Sequence, residues 1–279
     1  MTSYVEIDTI FGRIRSFPED VITKQLIAYG AHTRPELALL LSMVDPNDDV
    51  FDLGGHIGTF AIPLAKKIGP DGRIVVVEAL PETFAVLSQN IDHTNVSEWT
   101  TLVNAIIGPS QTTYSVHYVK GNNGANFLMT NHGGESIEAP ILTLEALCER
   151  YFFPRILKID IEGYEVFALA AAPALVDRHP IIYAEVSEPQ LQRVGSTVQE
   201  FDHLLRKNGY RLFRNAGDRN GPHDNFVMKE LDSLQAGGPF FDVLAVHRHD
   251  PRIGRLTSPL PTSDQNPFSK AAGRVRQMR

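Results

Sequence analysis

The sequence contains only one cysteine, Cys148, in 279 residues. A single cysteine excludes a disulfide framework within the chain and is typical of proteins from a reducing compartment. Cys148 follows Leu144 and Leu147 in an apolar helical pattern. Because unpaired cysteines are among the most frequently buried residues, we interpret Cys148 as a core residue rather than a nucleophile.

Long apolar runs are absent as well. No window reaches the roughly 18 consecutive apolar residues that a transmembrane helix requires. The first residues, MTSYVEIDTIFGRIRSF, do not combine a basic start with an apolar stretch, as a secretory signal does. These absences predict a cytoplasmic protein that has no membrane partner.

An excess of positive charge is also missing, since 26 lysines and arginines face 33 aspartates and glutamates, and the formal net charge is −7. This balance provides no general attraction to nucleic acid or to an anionic membrane, so we expect neither as a partner. Hydrophobic residues make up 43% of the chain, which is enough for a core without cross-links. The composition is compatible with any oligomeric state.

Short apolar strands alternate with helical patterns between about residues 46 and 249. This alternation with short connections predicts βαβ units and a parallel sheet. The seven predicted strands are Val50–Leu53, Arg73–Val77, Thr101–Ala105, Ile156–Asp160, Ile181–Val186, Tyr210–Arg214 and Val243–His247. We expect a doubly wound α/β fold with a mostly parallel seven-stranded sheet, in which the last two strands form an antiparallel pair at one edge.

The two ends of the chain fall outside this alternation. Residues 1–45 are predicted to form an N-terminal helical cap, with helices at about Pro18–Gly30 and Thr33–Met43. Residues 250–279 contain prolines, serines and scattered arginines with little periodicity. That composition is typical of a disordered tail.

The alternation is also interrupted inside the domain, at about residues 111–138. Thr112–Val119 alternates with a period near two and predicts an antiparallel strand. It is followed by a loop rich in glycine and asparagine, Gly121–Gly134. We interpret this stretch as an insertion beside the sheet.

A strand that runs directly into a glycine turn and a helix begins at Val50. Ligands of open parallel sheets bind at the carboxyl ends of the strands, where glycines allow the backbone to approach them closely. Here Gly54 and Gly58 follow Asp52 with the spacing G-x-x-x-G. Dinucleotide-binding loops have G-x-G-x-x-G instead. The spacing therefore favours a ligand other than NAD.

The next strand ends in a carboxylate, Glu78, which lies 20 residues beyond Gly58. A carboxylate at this position can accept hydrogen bonds from both hydroxyls of a ribose. NAD and S-adenosylmethionine (SAM) both contain a ribose. Glu78 therefore indicates a nucleoside without identifying which one.

A third strand, beginning at Ile156, ends in a cluster of acidic residues. Asp160 falls at the carboxyl edge of the sheet and is predicted to face the same crevice as Gly54, so we assign it a functional role. Glu162 and Glu165 are predicted to lie in the first turn of the following helix, where the helix dipole favours carboxylates. We assign Glu165 to capping or packing.

Together these segments resemble the FkbM family of SAM-dependent methyltransferases. The first family motif is typically D-x-G-A-N-x-G, and the later one, L-K-x-D-x-E-G-x-E, is matched at every fixed place by Leu157 to Glu165. The resemblance covers roughly Val50 to Val186. One departure is Gly55-His56, which stands where the family usually has Ala-Asn. For His56, a cofactor contact and a simple turn histidine both stay open.

The resemblance implies a class I, Rossmann-like methyltransferase fold with SAM bound across the strand ends. It places the methionine portion at the Gly54–Gly58 loop, the ribose at Glu78, the adenine near Asn104, and the ammonium group or the acceptor near Asp160. The implied cofactor-binding residues are Asp52, Gly54, His56, Gly58, Glu78, Asn104 and Asp160. Members of the family are associated with O-methylation of sugars and polyketide-type natural products, so we expect a small-molecule acceptor of that class.

Methyl transfer to oxygen requires a base or a group that stabilises charge. The candidates at strand ends are Asp160, Glu162 and Glu185, and His223 follows on a later loop. Glu185 lies in an apolar strand, where a carboxylate is costly without a partner. No metal is expected, since no His/Cys spacing for zinc is present, and Mg²⁺ held by the three carboxylates is the minority alternative.

The acceptor pocket is expected to come from segments outside the sheet. The candidates are Gln25 and Tyr29 of the N-terminal helix and the loops Gly121–Asn126 and His223–Asn225. Two other functions stay open. An NAD-type oxidoreductase shares the glycine turn and Glu78, and a non-catalytic SAM-binding protein shares all the motifs.

Overall fold

The computed structural model describes residues 4–109, 112–118, 135–235, 240–257 and 275–276. The strands are β1 Val5–Thr9, β2 Gly12–Ser16, β3 Asp49–Leu53, β4 Arg73–Glu78, β5 Thr100–Asn104, β6 Ile106–Ile107, β7 Thr112–Tyr118, β8 Glu135–Leu142, β9 Ile156–Ile159, β10 Ile181–Val186, β11 Tyr210–Asn215, β12 Met228–Leu231, β13 Phe241–His247 and β14 Val275–Arg276. The helices are α1 Val21–Tyr29, α2 Arg34–Ser42, α3 Ala61–Ile68, α4 Pro81–His93, α5 Leu144–Arg150, α6 Glu165–Ala170, α7 Pro173–Val176, α8 Glu188–Arg193, α9 Val198–Lys207 and α10 Gly254–Thr257.

The central sheet has the strand order β12-β11-β13-β10-β9-β3-β4-β5. Strands β5, β4, β3, β9 and β10 are parallel, whereas β13 is antiparallel to both β10 and β11. The predicted fold class and its antiparallel edge are therefore confirmed. The sheet has eight strands rather than the expected seven, because β12 adds a further antiparallel edge strand. Its sequence, MKEL, is partly or fully exposed throughout and lacks the apolar alternation that would have predicted it.

Helices cover both faces of this sheet because successive strand residues point to opposite sides. In β3, Val50 packs into one core cluster with α2, α3 and α4, while its neighbour Phe51 packs into another with α5, α6, α7 and α9. The second cluster contains Cys148, which is 2% exposed. Burial raises the pKa of its thiol to about 12, so its interpretation as a core cysteine is confirmed.

The N-terminal segment contains both predicted helices, α1 and α2, but it begins with a hairpin that the prediction missed. Strands β1 and β2 pair in register from Val5 opposite Ser16 to Thr9 opposite Gly12. Ile7 and Ile14 alternate with charged residues and are buried in the same cluster as α3 and α4. Period-two alternation on both sides of a glycine turn is the signal that could have revealed the hairpin.

The insertion after β5 contains the antiparallel strand that the alternation predicts. Strand β7 pairs antiparallel with β8, and β8 pairs with β6. The predicted loop Gly121–Gly134 lies outside the described residues. The division of the chain into a cap, a catalytic domain and a tail remains a prediction.

Part of the segment predicted to be a disordered tail is folded onto the domain. A 3₁₀ turn, Pro251–Ile253, leads into α10. The Arg252 guanidinium donates to both carboxylate oxygens of Asp48, at 2.7 and 2.9 Å, and to the carbonyl of Met43 at 2.8 Å. Strand β14 pairs with β1. The sequence pattern did not predict these contacts because Arg252 and its partners lie more than 200 residues apart in the chain. Within the described ranges, every helix is too short or too polar to cross a lipid bilayer.

The buried side-chain amide of Asn90, in α4, connects the N-terminal hairpin to the turn between β3 and α3. Its side chain is fully buried and donates to the carbonyls of Arg15 and Ile57, both at 2.9 Å. Its oxygen accepts from the Arg15 backbone amide at 2.7 Å. One side chain thus satisfies three backbone groups.

Replacing Asn90 with alanine should lower the free energy of unfolding by about 2–4 kcal/mol, because buried backbone groups lose their partners. Urea titration of the parent and the variant measures this difference. The neighbouring Gln89→Ala is the control, since Gln89 is exposed and bonds only the exposed end of Arg15. It should stay within about 0.5 kcal/mol of the parent. Equal stabilities of both variants would contradict this role of Asn90.

Candidate active site

The glycine turn between β3 and α3 lies directly against the end of β9. Gly54 has a φ of +83°, and a Cβ atom on it would lie 1.9 Å from the carbonyl oxygen of Asp160. A Cβ atom on Gly55 would lie 2.2 Å from Cγ1 of the buried Val76. Gly54 therefore requires glycine for both backbone conformation and space, whereas a Cβ atom on Gly55 would fit only if the Val76 side chain moved. Gly58, with a φ of +94°, ends the turn and accepts from Ile62 of α3.

A cavity of about 450 Å³ opens where β3, β4, β9 and β10 end. It brings together the predicted residues Gly54, His56, Glu78, Asp160, Glu162 and Glu185. Asp52, Gly58 and Asn104 are not among the residues that line the cavity. The carboxylates of the second and third motifs thus converge at one edge of the sheet, and Asp52 of the first motif is connected to Asp160 through Lys158.

A buried lysine, Lys158 of β9, lies beneath this cavity. Its Nζ atom is 3.1 Å from Oδ1 of Asp52 and 3.6 Å from Oδ2 of Asp160. It also donates to the carbonyl of Gly54 at 2.8 Å. Burial opposes the charge on Lys158, but the two carboxylates outweigh it and raise the lysine pKa above its ordinary value. Asp52 is fully buried and partly neutralises Lys158, and its contact with a cofactor remains a prediction.

The turn after β4 is fixed by Glu78. Its carboxylate accepts from the backbone amides of His56 and Leu80, both at 2.9 Å, and burial raises its pKa to about 7. Asn104 donates to the carbonyls of Glu78 and Ala79, at 2.8 and 3.0 Å. The cavity wall beside it consists of the next three residues in the sequence, 105–107. Contact between Asn104 and an adenine remains a prediction.

The side chain of His56 points toward the N-terminal segment. The residue has a φ of +47°, and its Nε2 atom lies 3.9 Å from Oδ2 of Asp20. Its ring centroid is 6.4 Å from that of Phe17. His56 therefore offers its backbone amide to Glu78 and its ring to the boundary between the glycine turn and α1.

The opposite wall of the cavity is acidic. Glu185 accepts from Arg219 at 3.0 Å, yet burial and the neighbouring carboxylates of Asp160 and Asp242 raise its pKa to about 7. Burial, Asp160 and Glu185 raise the pKa of Glu162 to about 9. Glu162 accepts a hydrogen bond from Gln190 of α8. Asp160 thus raises the pKa of both glutamates, and Glu185 adds to the rise at Glu162.

Glu162 does not lie in a helical turn, contrary to the prediction. Glu162 and Gly163 have φ values of +60° and +106°, which a right-handed helix cannot contain, and α6 begins only at Glu165. Glu165 accepts from the backbone amides of Ile161 and Gly163, at 3.0 and 3.2 Å. Its assignment to capping and packing is confirmed.

Several residues that line the cavity were not singled out in the sequence: His32, Phe60, Gln190, Arg219, Asn220 and Phe240. Of the residues predicted for an acceptor pocket, Gln25 lines the cavity, whereas Tyr29 and His223 do not. Gly121–Asn126 lies outside the described residues. The burial of Glu185 was the one signal for Arg219, since it required a partner but did not identify it.

Among the residues that the structure describes, no group of three or more His, Cys, Asp or Glu side chains is placed to hold a metal ion. The cations that approach the acidic wall are side chains of the protein. Lys158 lies beside Asp160, and Arg219 lies beside Glu185.

Replacing Gly54 with alanine should both destabilise the fold and weaken binding of SAM, the cofactor that the sequence resemblance implies. The added Cβ atom would collide with the Asp160 backbone in a conformation that favours glycine, at a cost of about 2–4 kcal/mol. Gly195→Ala is the matched control, because Gly195 has a φ of +84° with no atom within 4 Å. Urea unfolding and calorimetry with SAM are the measurements. We expect Gly54→Ala to raise the Kd at least about tenfold and Gly195→Ala to leave it unchanged. A parental Kd for Gly54→Ala would contradict this placement of the cofactor.

Comparison with known proteins identifies the family. A family described as "Methyltransferase FkbM domain" matches residues 52–212 of this chain, which include the glycine turn and the acidic motif. A search of curated proteins gives no match.

The solved structures that resemble this chain include methyltransferases of low sequence identity. A precorrin-6y C5,15-methyltransferase from Geobacter metallireducens is 15% identical with a TM-score of 0.41, and 76% of this chain and 86% of that one are covered. A SAM-dependent methyltransferase from Aquifex aeolicus is 11% identical with a TM-score of 0.43, and the covered shares are 80% and 92%. We build no argument on similarities at this level. The family match covers more than half of the chain, and the protein therefore belongs to the FkbM family of SAM-dependent methyltransferases.

Proposed function

We propose that this methyltransferase transfers a methyl group to a hydroxyl oxygen of a sugar or polyketide-type small molecule, with Glu185 as the base. The observation that supports this most strongly is the acidic wall of Asp160, Glu162 and Glu185. It faces the same cavity as the glycine turn and Glu78. Donor and acceptor would thus meet beside a group that can accept a proton.

The residues around the cavity suit SAM better than NAD. The volume of about 450 Å³ lies within the range of small-molecule sites. An acidic wall favours a ligand with sulfonium and ammonium charges and disfavours the pyrophosphate of a dinucleotide. Glu78 accepts two backbone hydrogen bonds, and a carboxylate has about four acceptor positions, so it retains capacity for ribose hydroxyls. These features argue against the oxidoreductase alternative.

Bound SAM supplies a methyl group on a positively charged sulfur, which is a good leaving group. The protein has to hold the methionine portion at the Gly54–Gly58 turn and the ribose at Glu78, and to exclude water. Transfer of this methyl group to the acceptor oxygen would break the carbon–sulfur bond, whose electron pair would stay on sulfur, and would release the hydroxyl proton to the protein. Alignment and a proton acceptor are therefore the main contributions of the chain.

Glu185 fits the role of proton acceptor better than its neighbours. A general base works best when its pKa lies near the operating pH, and the pKa of Glu185 is raised to about 7. Glu162, with a pKa of about 9, holds its proton at neutral pH and can donate a hydrogen bond. Asp160 lies beside Lys158, and we assign it to the ammonium group of the cofactor or to alignment of the acceptor.

The mouth of the cavity supports an acceptor that combines hydroxyls with an apolar face. Gln25 and Asn220 present side-chain amides that bond each other at 2.9 Å. Val21 and Phe240 also line the cavity and are 63% and 48% exposed. Amides and carboxylates bind hydroxyls, while exposed apolar side chains pack against a ring face. Sugars and hydroxylated polyketides both meet this description.

Glu185→Gln should reduce kcat/KM at least about 100-fold, because the glutamine cannot accept the proton. In the parent, kcat/KM should rise with pH through about 7 as Glu185 ionises, and this acid limb should disappear in the variant. The control is Glu230→Gln, at an exposed position of the edge strand β12 and not among the residues that line the cavity. It should keep the parental kcat/KM and the acid limb of its pH profile. A Glu185→Gln enzyme with a parental rate and profile would show that another group is the base.

An acceptor panel tests the reaction itself. The purified protein is incubated with isotopically labelled SAM and with free sugars, glycosides, hydroxylated macrolactones and matched amines, and products are located by mass spectrometry and NMR. Transfer to a hydroxyl of a sugar or macrolactone is expected. Transfer to nitrogen alone, or SAM binding with no product from any acceptor, would contradict the proposal, and the second result would favour a non-catalytic SAM-binding protein.

A further inference from the structure

Two carboxylates face each other directly across the antiparallel edge of the sheet. Glu185 of β10 is the register partner of Asp242 of β13. The Asp242 side chain is 8% exposed and that of Glu185 is 26% exposed, so water screens them only in part. Like charges opposite each other destabilise a sheet. The pair therefore requires a counterion or a shared proton.

Arg219 supplies that counterion from the loop between β11 and β12. Its Nη2 atom lies 2.7 Å from Oδ2 of Asp242 and 3.0 Å from Oε2 of Glu185. Its guanidinium carbon lies 4.7 Å from the ring centroid of Phe240. One guanidinium thus serves two carboxylates, and the three groups together have a charge of −1 when both acids are ionised.

The loop that contains Arg219 is attached to the N-terminal helices by two residues that follow Arg219. Asn220 accepts from Gln25 of α1 at 2.9 Å. Asp224 accepts from Nε and Nη2 of Arg34 of α2, at 2.6 and 3.3 Å. These contacts hold the loop over the cavity and set the position of the guanidinium.

Other charged groups surround this trio. Asp160 and Glu162 face Glu185 from the end of β9, and Lys158 lies near it within the same strand. Glu36 of α2 faces Asp242 and accepts from the hydroxyl of Tyr183 at 3.1 Å. Arg219 differs from these groups because it contacts Glu185 and Asp242 at the same time.

We infer that Arg219 and Asp242 are positioning residues that act together on Glu185 and determine how strongly it binds the proton of the acceptor. This rests on the proposed function, in which Glu185 is the base. When Glu185 accepts the proton, the charge of the trio changes from −1 to zero and the repulsion across the two strands is relieved. Asp242 therefore favours proton uptake by Glu185, and Arg219 opposes it.

The two residues must then move the acid limb of the pH profile in opposite directions. Arg219→Gln removes the cation, so Glu185 should ionise at higher pH and the limb should shift upward by about 1 pH unit or more. Asp242→Asn removes the repelling carboxylate and leaves Arg219 to Glu185 alone, so the limb should shift downward. The measurement is kcat/KM against pH for each variant, with thermal unfolding as the check on folding.

Two further variants control the experiment. Arg219→Lys retains a cation and should keep the limb nearer to the parental position than Arg219→Gln does. Arg211→Gln breaks an exposed ion pair with Glu230 on the neighbouring strand and should leave the limb in place. If Asp242→Asn does not fold, the positions of the acid limb in Arg219→Gln and Arg219→Lys are compared instead. A limb at the same pH in both variants would contradict the inference.

The outcomes separate this inference from the proposed function. If the parent has no acid limb, or if Glu185→Gln retains it, Glu185 is not the base and both proposals fall. If Glu185→Gln abolishes the limb while Arg219→Gln and Asp242→Asn leave it unmoved, or shift it in the same direction, only the present inference falls. Opposite shifts would support it, because a merely structural role would not change sign between the two variants.

Discussion

The rest of the site depends on the contacts that the buried ammonium group of Lys158 makes. This group connects β3, β9 and the glycine turn by contacting Asp52, Asp160 and the carbonyl of Gly54. Removing one member of a buried ion pair leaves an uncompensated charge and costs about 3–5 kcal/mol. Asp52 and Lys158 therefore have to occur together. Their contacts keep Gly54 against Asp160, which is the approach that defines the floor of the cavity.

A second consequence is electrostatic. Lys158 is shared with the fully buried Asp52, so it only partly offsets the acidic wall. Burial, together with the remaining negative charge of the neighbouring carboxylates, raises the pKa values of Glu162 and Glu185. Under the proposed function, the same acidic wall would favour the sulfonium of SAM and would let Glu185 accept a proton. Cofactor preference and base strength would then share an origin in the charge of this wall, with burial adding to the second.

The sequence predicted the parts of this arrangement that have local signals. Apolar runs predicted the seven strands, and the glycine spacing and strand-end acids predicted which loops converge. What it could not predict depends on distant partners. Arg219 and Glu185 are 34 residues apart. The alternation of apolar and polar residues in their two segments does not indicate that they meet. The turn at Glu162 was missed for a different reason, since a positive φ at a non-glycine residue leaves no trace in an acidic, helix-like pattern.

The boundary of the family match adds a final constraint. Residues 52–212 include Lys158, Asp160 and Glu185 but neither Arg219 nor Asp242. The helices that hold the Arg219 loop, α1 and α2, also lie outside the match. The glycine turn, Lys158 and Asp160 thus belong to the segment that defines the family, whereas Arg219 and Asp242, which lie beside the proposed base, come from flanking segments. Those flanking segments also supply Gln25, Asn220 and Phe240 to the cavity. A substitution that moves the Arg219 loop would therefore change both the shape of the cavity mouth and the charge around Glu185, and we expect the two properties to be coupled.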